Sequence, residues 1–264
     1  MIAETFFAGC LLGTFSGLSA GLFGIGGGLI VVPFLTMLFA AKSFHPDLVM
    51  IMSVATSLAT IIFTSVASVV AHHRLGSVLW TKVFNLSPGI IAGAVIGAMI
   101  AHFISAGMLR AVFIIYLLYV SLQLALQTQP KLGTLAATRL VDRTASFLIG
   151  LVSSVLGIGG GTLIVPYLVH FRTPIRNAVA ISSACGLPIA ATGTISYGIL
   201  GRQATHLPDW SLGYIYLPSF FGIVLTSIFT ASYGAELANR LPAQQLKRYF
   251  SLLLLAIAVK MMWA

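Results

Sequence analysis

Apolar runs long enough to cross a bilayer follow one another along the whole chain, and this limits its fold more than any other feature. Leu48–Ala71, Val83–Ile104, Leu109–Leu126, Trp210–Ala231 and Phe250–Trp263 are nearly free of charge. Crossing ~30 Å of hydrocarbon takes about 20 such residues in a helix. The longest polar link, roughly residues 127–143, is too short to bury a core of its own. Only 7% of the 264 residues are charged and the mean hydropathy is +1.03, where a soluble domain carries about a quarter charged residues. In lipid every backbone polar group must find its partner within the protein, so the runs are read as helices. The expected class is an all-α polytopic membrane protein.

The net charge of +9 would point to nucleic acid in a soluble protein. Here the Lys and Arg residues sit at the ends of apolar runs and act as topology signals, so no nucleic-acid partner is expected and the bilayer is. No Lys or Arg precedes Lys42, so the apolar N-terminal stretch is expected to be mature protein and not a secretory signal. Cys10 and Cys185 both lie in apolar stretches and support neither a disulfide nor a metal site. The acids Glu4, Asp47, Asp142, Asp209 and Glu236 fall at or near segment ends, as do histidines 45, 72, 73, 102, 170 and 206. A proton or sodium relay usually needs a carboxylate at membrane depth, and an enzyme needs clustered acids, histidines or a metal set. His72-His73-Arg74 is the only cluster and reads as a basic cytoplasmic end. Neither an enzyme nor a cofactor is expected.

The chain repeats itself. Residues 23–35, FGIGGGLIVVPFL, and 156–168, LGIGGGTLIVPYL, share eight of thirteen positions at an offset of 133. Gly17-Leu18 and Gly150-Leu151 extend the match upstream; Ser53–Leu58 and Ser182–Leu187 continue it more weakly. Pro88 and Pro218 are expected to open the third helix of each half, and Leu109-Arg110 and Leu246-Lys247 the fourth. The halves are 1–130 and 138–264.

Each GIGGG interrupts an apolar stretch too long for one ordinary crossing. Glycine costs a helix about 1 kcal/mol relative to alanine, so the helix should break there, with a half-helix restarting at about Gly28 or Gly161. The stretch is then either one broken crossing or a hairpin. With single crossings the basic residues divide seven and seven. With hairpins one side holds Arg74, Lys82, Lys131, Arg139, Arg143, Arg172, Arg176, Arg240, Lys247 and Arg248, and the other Lys42, Arg110, Arg202 and Lys260. The uneven split favours hairpins, with the richer side cytoplasmic and both termini outside. Parity then inverts the second half. Interrupted helices at corresponding positions of inverted repeats are the mark of a secondary transporter. Whether the hairpins are re-entrant or cross fully stays open.

The doubled GIGGG…P motif and Ala55-Thr56-Ser57-Leu58 resemble the TauE/SafE family of sulfite exporters over essentially the full length. The second half departs from that pattern with Ala184-Cys185-Gly186-Leu187, so the half-sites are not chemically equivalent. The resemblance implies transport of a small anion, sulfite or an organosulfonate, in the export direction, across a plasma membrane, the bacterial inner membrane being the natural setting. Another small anion, or a non-transporting membrane enzyme or assembly subunit, stays open. The residues add a reason of their own: helix N-termini present unpaired N–H donors and attract anions. A dinucleotide fingerprint does not fit, since Leu29 and Thr162 occupy the sixth positions and no strand precedes the glycines. Candidate substrate-binding residues are Gly24, Gly26, Gly27, Gly28, Thr56, Ser57, Gly157, Gly159, Gly160, Gly161, Thr162 and Ser183. The competing reading is close packing through glycine, and hydroxyls inside helices usually bond a carbonyl one turn back. Gly89, Gly93, Gly97 and Ala101 form a small-residue face suited to helix packing, within the chain or in a homo-oligomer.

Overall fold

The computed structural model describes residues 2–23, 27–126, 138–238 and 243–263. Their order is α1 (Ile2–Phe23), α2 (Gly28–Ala41), α3 (Pro46–Arg74), α4 (Trp80–Phe103), α5 (Ala106–Ala125), α6 (Arg139–Leu156), α7 (Gly161–His170), α8 (Ile175–Leu200), a short 3-10 turn (Gly201–Gln203), β1 (Ser211–Leu212), β2 (Ile215–Tyr216), α9 (Leu217–Ala238) and α10 (Ala243–Trp263). Among the described residues six helical segments are long and apolar enough to span a membrane, in α1, α3, α4, α5, α8 and α9, while α2 and α7 are shorter. The protein is a helical, multi-pass membrane protein.

Two expectations about helix starts need correction. Pro88 does not open α4 but lies inside it, one helix running from Trp80 to Phe103. Proline is tolerated within membrane helices where neighbouring groups re-satisfy the freed carbonyl. The apolar run from Trp210 is not helical at its start: Ser211–Leu212 pairs antiparallel with Ile215–Tyr216. Gly213, at φ +57, turns that small hairpin. Pro218 does sit in the first turn of α9.

Helix packing explains where the small residues fall. On α1 the large side chains Phe7, Leu11 and Phe15 are exposed and the glycines at 9, 13 and 17 face α9. A Cβ on Gly9 would meet the Ser219 carbonyl at 2.9 Å, and one on Gly17 the Ser227 carbonyl at 2.6 Å. Both helices advance in the same direction along this contact. The glycine face of α4, Gly89, Gly93 and Gly97, is set equally close against Ser146, Phe147 and Leu151 of α6. That stripe therefore serves packing within the chain. The partners are reciprocal: α1 lies on α9 as α6 lies on α4, while α3 packs on α8 and α5 on α10.

The last two pairs run antiparallel. Ser68 Oγ donates to Ser183 Oγ at 3.1 Å, Ser65 lies beside Gly186 and Leu58 beside Gly193. Residue numbers therefore fall along α3 as they rise along α8. In the same way Ser121 Oγ donates to the Ser251 carbonyl at 2.9 Å and Arg110 Nε to the Met261 carbonyl at 2.9 Å. The α1–α2 and α6–α7 units each fold back on themselves. The Lys42 ammonium at the end of α2 pairs with Glu4 in the first turn of α1. The Tyr167 hydroxyl near the end of α7 donates to Asp142 Oδ1 in the first turn of α6 at 2.7 Å.

The connections gather at two ends. At one, Lys82 lies 3.7 Å from Asp142, Arg176 Nη2 donates to the Leu75 carbonyl at 3.4 Å and Asn177 Nδ2 to the Ser77 carbonyl at 2.9 Å. At the other, the His45 and His206 rings stack with centroids 5.1 Å apart and His102 Nδ1 lies 3.0 Å from the Tyr214 hydroxyl.

Candidate functional site

Glycine shapes both helix interruptions. In the second half, α6 ends in a glycine cap: the Ile158 amide reaches back to the Ser153 carbonyl at 3.0 Å and the Gly157 amide to that of Ser154 at 3.3 Å. Gly157 holds φ +70 to close this motif, a conformation open to glycine at no steric cost. Three residues on, Gly160 at φ +76 is the N-cap of α7, and its carbonyl accepts from Leu163 at 3.0 Å and Ile164 at 2.8 Å. In the first half Gly27, also at φ +76, caps α2 with no side-chain bond. Its carbonyl accepts from Ile30 at 3.0 Å and Val31 at 3.1 Å. The half-helices thus restart at Gly28 and Gly161, where the glycine spacing places them. Gly24 and Gly26 lie outside the described residues.

The two interruptions touch. A Cβ on Gly28 would stand 2.5 Å from the Gly157 carbonyl oxygen and 3.0 Å from Ile158 Cα. Ser57 Oγ from α3 donates to that same Gly157 carbonyl at 2.8 Å, and Val54 of α3 and Val32 of α2 close in on Gly157. Gly28, Ser57 and Gly157 are therefore one contact, made by a loop from each half and the helix between them.

Around the second loop lies a set of hydroxyls. A small cavity of about 10 Å³, room for about one water, is lined by Thr64, Ser65, Ser68, Gly159, Ser182 and Ser183, with Ala20 and Ala231. Ser182 is 1% exposed and its hydroxyl has no hydrogen-bond partner among the described residues. The Ser153 and Ser154 hydroxyls, in the last turn of α6, are likewise buried and without one. Ser153 Oγ is 3.3 Å from where a Cβ on Gly160 would sit, and Ser154 Oγ is 3.4 Å from one on Gly193. A buried unpaired hydroxyl costs roughly 1–3 kcal/mol; Thr194, Ser211 and Ser219 are also without a partner among the described residues, and of the set Ser182 lines the cavity and Ser153 lies beside Gly160.

The candidate residues divide among these features. Gly27, Gly28, Ser57 and Gly157 form the loop contact; Gly159 and Ser183 line the cavity; Gly160 and Gly161 begin α7. Ser183 Oγ also donates to the Val179 carbonyl at 3.0 Å. Thr56 and Thr162 are engaged elsewhere: the Tyr216 amide donates to Thr56 Oγ1 at 3.0 Å, and Thr162 pairs with the Tyr116 hydroxyl. Ser53 bonds the Val49 carbonyl one turn back at 2.7 Å. Thr64, Ser65, Ser68, Ser153 and Ser154 were missed by sequence reasoning. The Ser153-Ser154 pair one turn before GIGGG was the available signal, since the first half has Ala20-Gly21 at the equivalent places.

Comparison with known proteins covers nearly all of these elements. The family model described as sulfite exporter TauE/SafE matches residues 9–261. A protein of Haemophilus influenzae named probable membrane transporter protein is 36% identical over 259 residues, 97% of this chain and 98% of that one. A probable membrane transporter protein of Methanocaldococcus jannaschii is 25% identical over 252 residues, covering 92% of this chain and 90% of its own. A sulfite exporter TauE/SafE family protein of Arabidopsis thaliana is 34% identical over 98 residues, 37% of this chain and 22% of that one. No solved structure matches.

Proposed function

The chain belongs to the TauE/SafE family of sulfite exporters, and from that premise we propose that it is a plasma-membrane transporter of a small monoanion, sulfite in its singly charged form or a small organosulfonate, moved outward. The observation that carries the anion reading is the buried hydroxyls of Ser153, beside the N-cap Gly160, and Ser182, lining the cavity with Gly159, neither with a hydrogen-bond partner among the described residues. Hydroxyls can turn their protons inward, and the amides of a helix's first turn have no partner within the helix. Such a site offers donors to a negative charge. Among the described residues it holds no Lys or Arg, so a divalent oxyanion would lose more hydration than hydroxyls return.

The transport reading rests on architecture. We take the halves as inverted repeats, each a hairpin plus three spanning helices. The antiparallel courses of α3 and α8 support this, because the repeat makes them equivalent. So do the Lys42–Glu4 and Tyr167–Asp142 pairs, which bring both ends of each hairpin together. At 1.5 Å per residue α2 is about 21 Å long and α7 about 15 Å. Entering from opposite faces of ~30 Å of hydrocarbon, they would meet where Gly28 touches Gly157. Non-helical backbone at that depth survives only where protein buries it or a cavity borders it.

The test is flux into proteoliposomes holding the purified chain alone, across a panel of sulfite, methanesulfonate, sulfate, chloride and ammonium. Saturable sulfite or methanesulfonate movement, with sulfate a poor competitor, is the expected result. Absence of any flux from a folded, correctly inserted chain would return it to the class of assembly subunits.

A further inference from the structure

A second, much larger cavity of about 620 Å³ opens at the end of the protein that carries Lys42, between α2, α3, α5 and α10. Thr36 and Met50 lie at its inner limit, joined by a 3.6 Å contact from Thr36 Oγ1 to Met50 Sδ. Eight residues along α2, about 12 Å, separate Thr36 from Gly28. Leu29, Val32 and Val54, at most 1% exposed, fill that interval. The cavity is thus a dead end that points at the loop contact and stops at an apolar layer.

Among the described residues one cation lines it. Arg110 is half-buried on α5, with Nε and Nη2 both directed to the Met261 carbonyl at the end of α10. A guanidinium has five donors, and this pairing uses two. The carbonyl carries no formal charge, so a net positive charge remains to act on the cavity, reduced by the partial negative charge at the end of α10. The other charged lining residue, Asp47, is 82% exposed at the rim and lies 3.7 Å from His45. A cationic cleft with apolar walls concentrates counter-ions.

We propose that this cavity is an anion-collecting vestibule in which Arg110 holds small monoanions on the Lys42 side, apart from the loop site and separated from it by the Leu29–Val32–Val54 layer. It depends on the anion reading above only for the identity of what it collects. A transporter that releases or gathers an anion at this face gains from a raised local concentration without placing a fixed cation at the loops, where tight pairing would slow release.

The test reads electrostatics, so it requires no transport. Gly107 lines the cavity, and a Cβ there meets nothing within 4 Å, which makes Gly107→Cys a benign reporter in a Cys10→Ala, Cys185→Ala background. Its rates of modification by sulfonatoethyl and trimethylammonioethyl methanethiosulfonate, added from the Lys42 side, are compared. The anionic reagent should react faster, the ratio of rates should fall about tenfold in Arg110→Gln at low salt, and methanesulfonate should protect. Arg110→Lys, which keeps the charge but not the two-pronged bond to Met261, should retain the ratio. An unchanged ratio in Arg110→Gln would show that Arg110 only caps α10. No labelling from either reagent would show that lipid fills the cavity. Loss of transport with the ratios intact would count against the proposed function and leave the vestibule standing.

Discussion

Gly28→Ala tests the meeting of the two loops at its tightest point. The added methyl would stand 2.5 Å from the Gly157 oxygen and 3.0 Å from Ile158 Cα, both backbone atoms, and 3.1 Å from Ile61 Cδ1. Ordinary contact begins at 3.4 Å, so the second loop must retreat by about 0.9 Å. Overpacking of this kind costs roughly 1–3 kcal/mol. The retreat also stretches the 2.8 Å bond from Ser57 to the Gly157 carbonyl beyond hydrogen-bonding range, a further loss of about 1 kcal/mol. Alanine's helix preference returns under 1 kcal/mol at a first helical position. The net loss of about 1–3 kcal/mol should lower the apparent Tm by about 2–12 °C, read as the fraction still monodisperse on size exclusion after heating. Flux in proteoliposomes should fall with it, because the same carbonyl sits at the proposed site. Gly107→Ala, which meets nothing, is the control for alanine itself. If Gly28→Ala matches wild type within 1 °C and transports normally, the loops are not in contact and the site is misplaced.

Ser182→Ala removes an unpaired hydroxyl, so the protein should be unchanged or more stable, by up to about 1 kcal/mol, while anion flux falls several-fold; undiminished flux at normal abundance argues against the hydroxyl site. Thr56→Val strips the acceptor from the buried Tyr216 amide and should cost roughly 1–3 kcal/mol of stability, with flux per folded molecule retained, a pairing that thermal shift and transport measure together. Cysteines placed at Lys42 and His206 should react with an impermeant reagent from one face of the membrane, and those at Gly76 and Arg172 from the other; Lys42 labelling from the face of Arg172, opposite His206, would refute the hairpins. Sulfite and methanesulfonate should inhibit one another's transport, sulfate poorly and amines not at all, and equal inhibition by sulfate would reveal a cation at the site.

The glycine spacing made the interruptions legible because glycine acts locally. Four in five positions break a helix whatever surrounds them, and α2 and α7 begin at the residues so marked. Pro88 misled for the opposite reason: its effect depends on neighbours, and inside α4 they tolerate it. Trp210 misled because an apolar run carries no information about the turn that Gly213 makes within it. The hydroxyls were the hardest to read. Thr56, Ser57, Ser182 and Ser183 all lie in similar stretches, yet one accepts from a strand amide, one donates to a loop carbonyl, one pairs across helices and one is left unpaired. Only the packing of α3 against α8 separates those outcomes, and the pattern within either helix does not contain it.

The close seams have a consequence for biogenesis. Gly89 meets Ser146, so the α4–α6 seam can close after some 57 further residues have been made. Gly9 waits for Gly222, some 213 residues later. At roughly 5–20 residues per second that wait is about 10–40 s, during which the glycine face of α1 has only lipid against it. Helix α1 thus finds its place only once α9 has been made, and a chain halted after residue 130 would carry an open groove where α9 belongs.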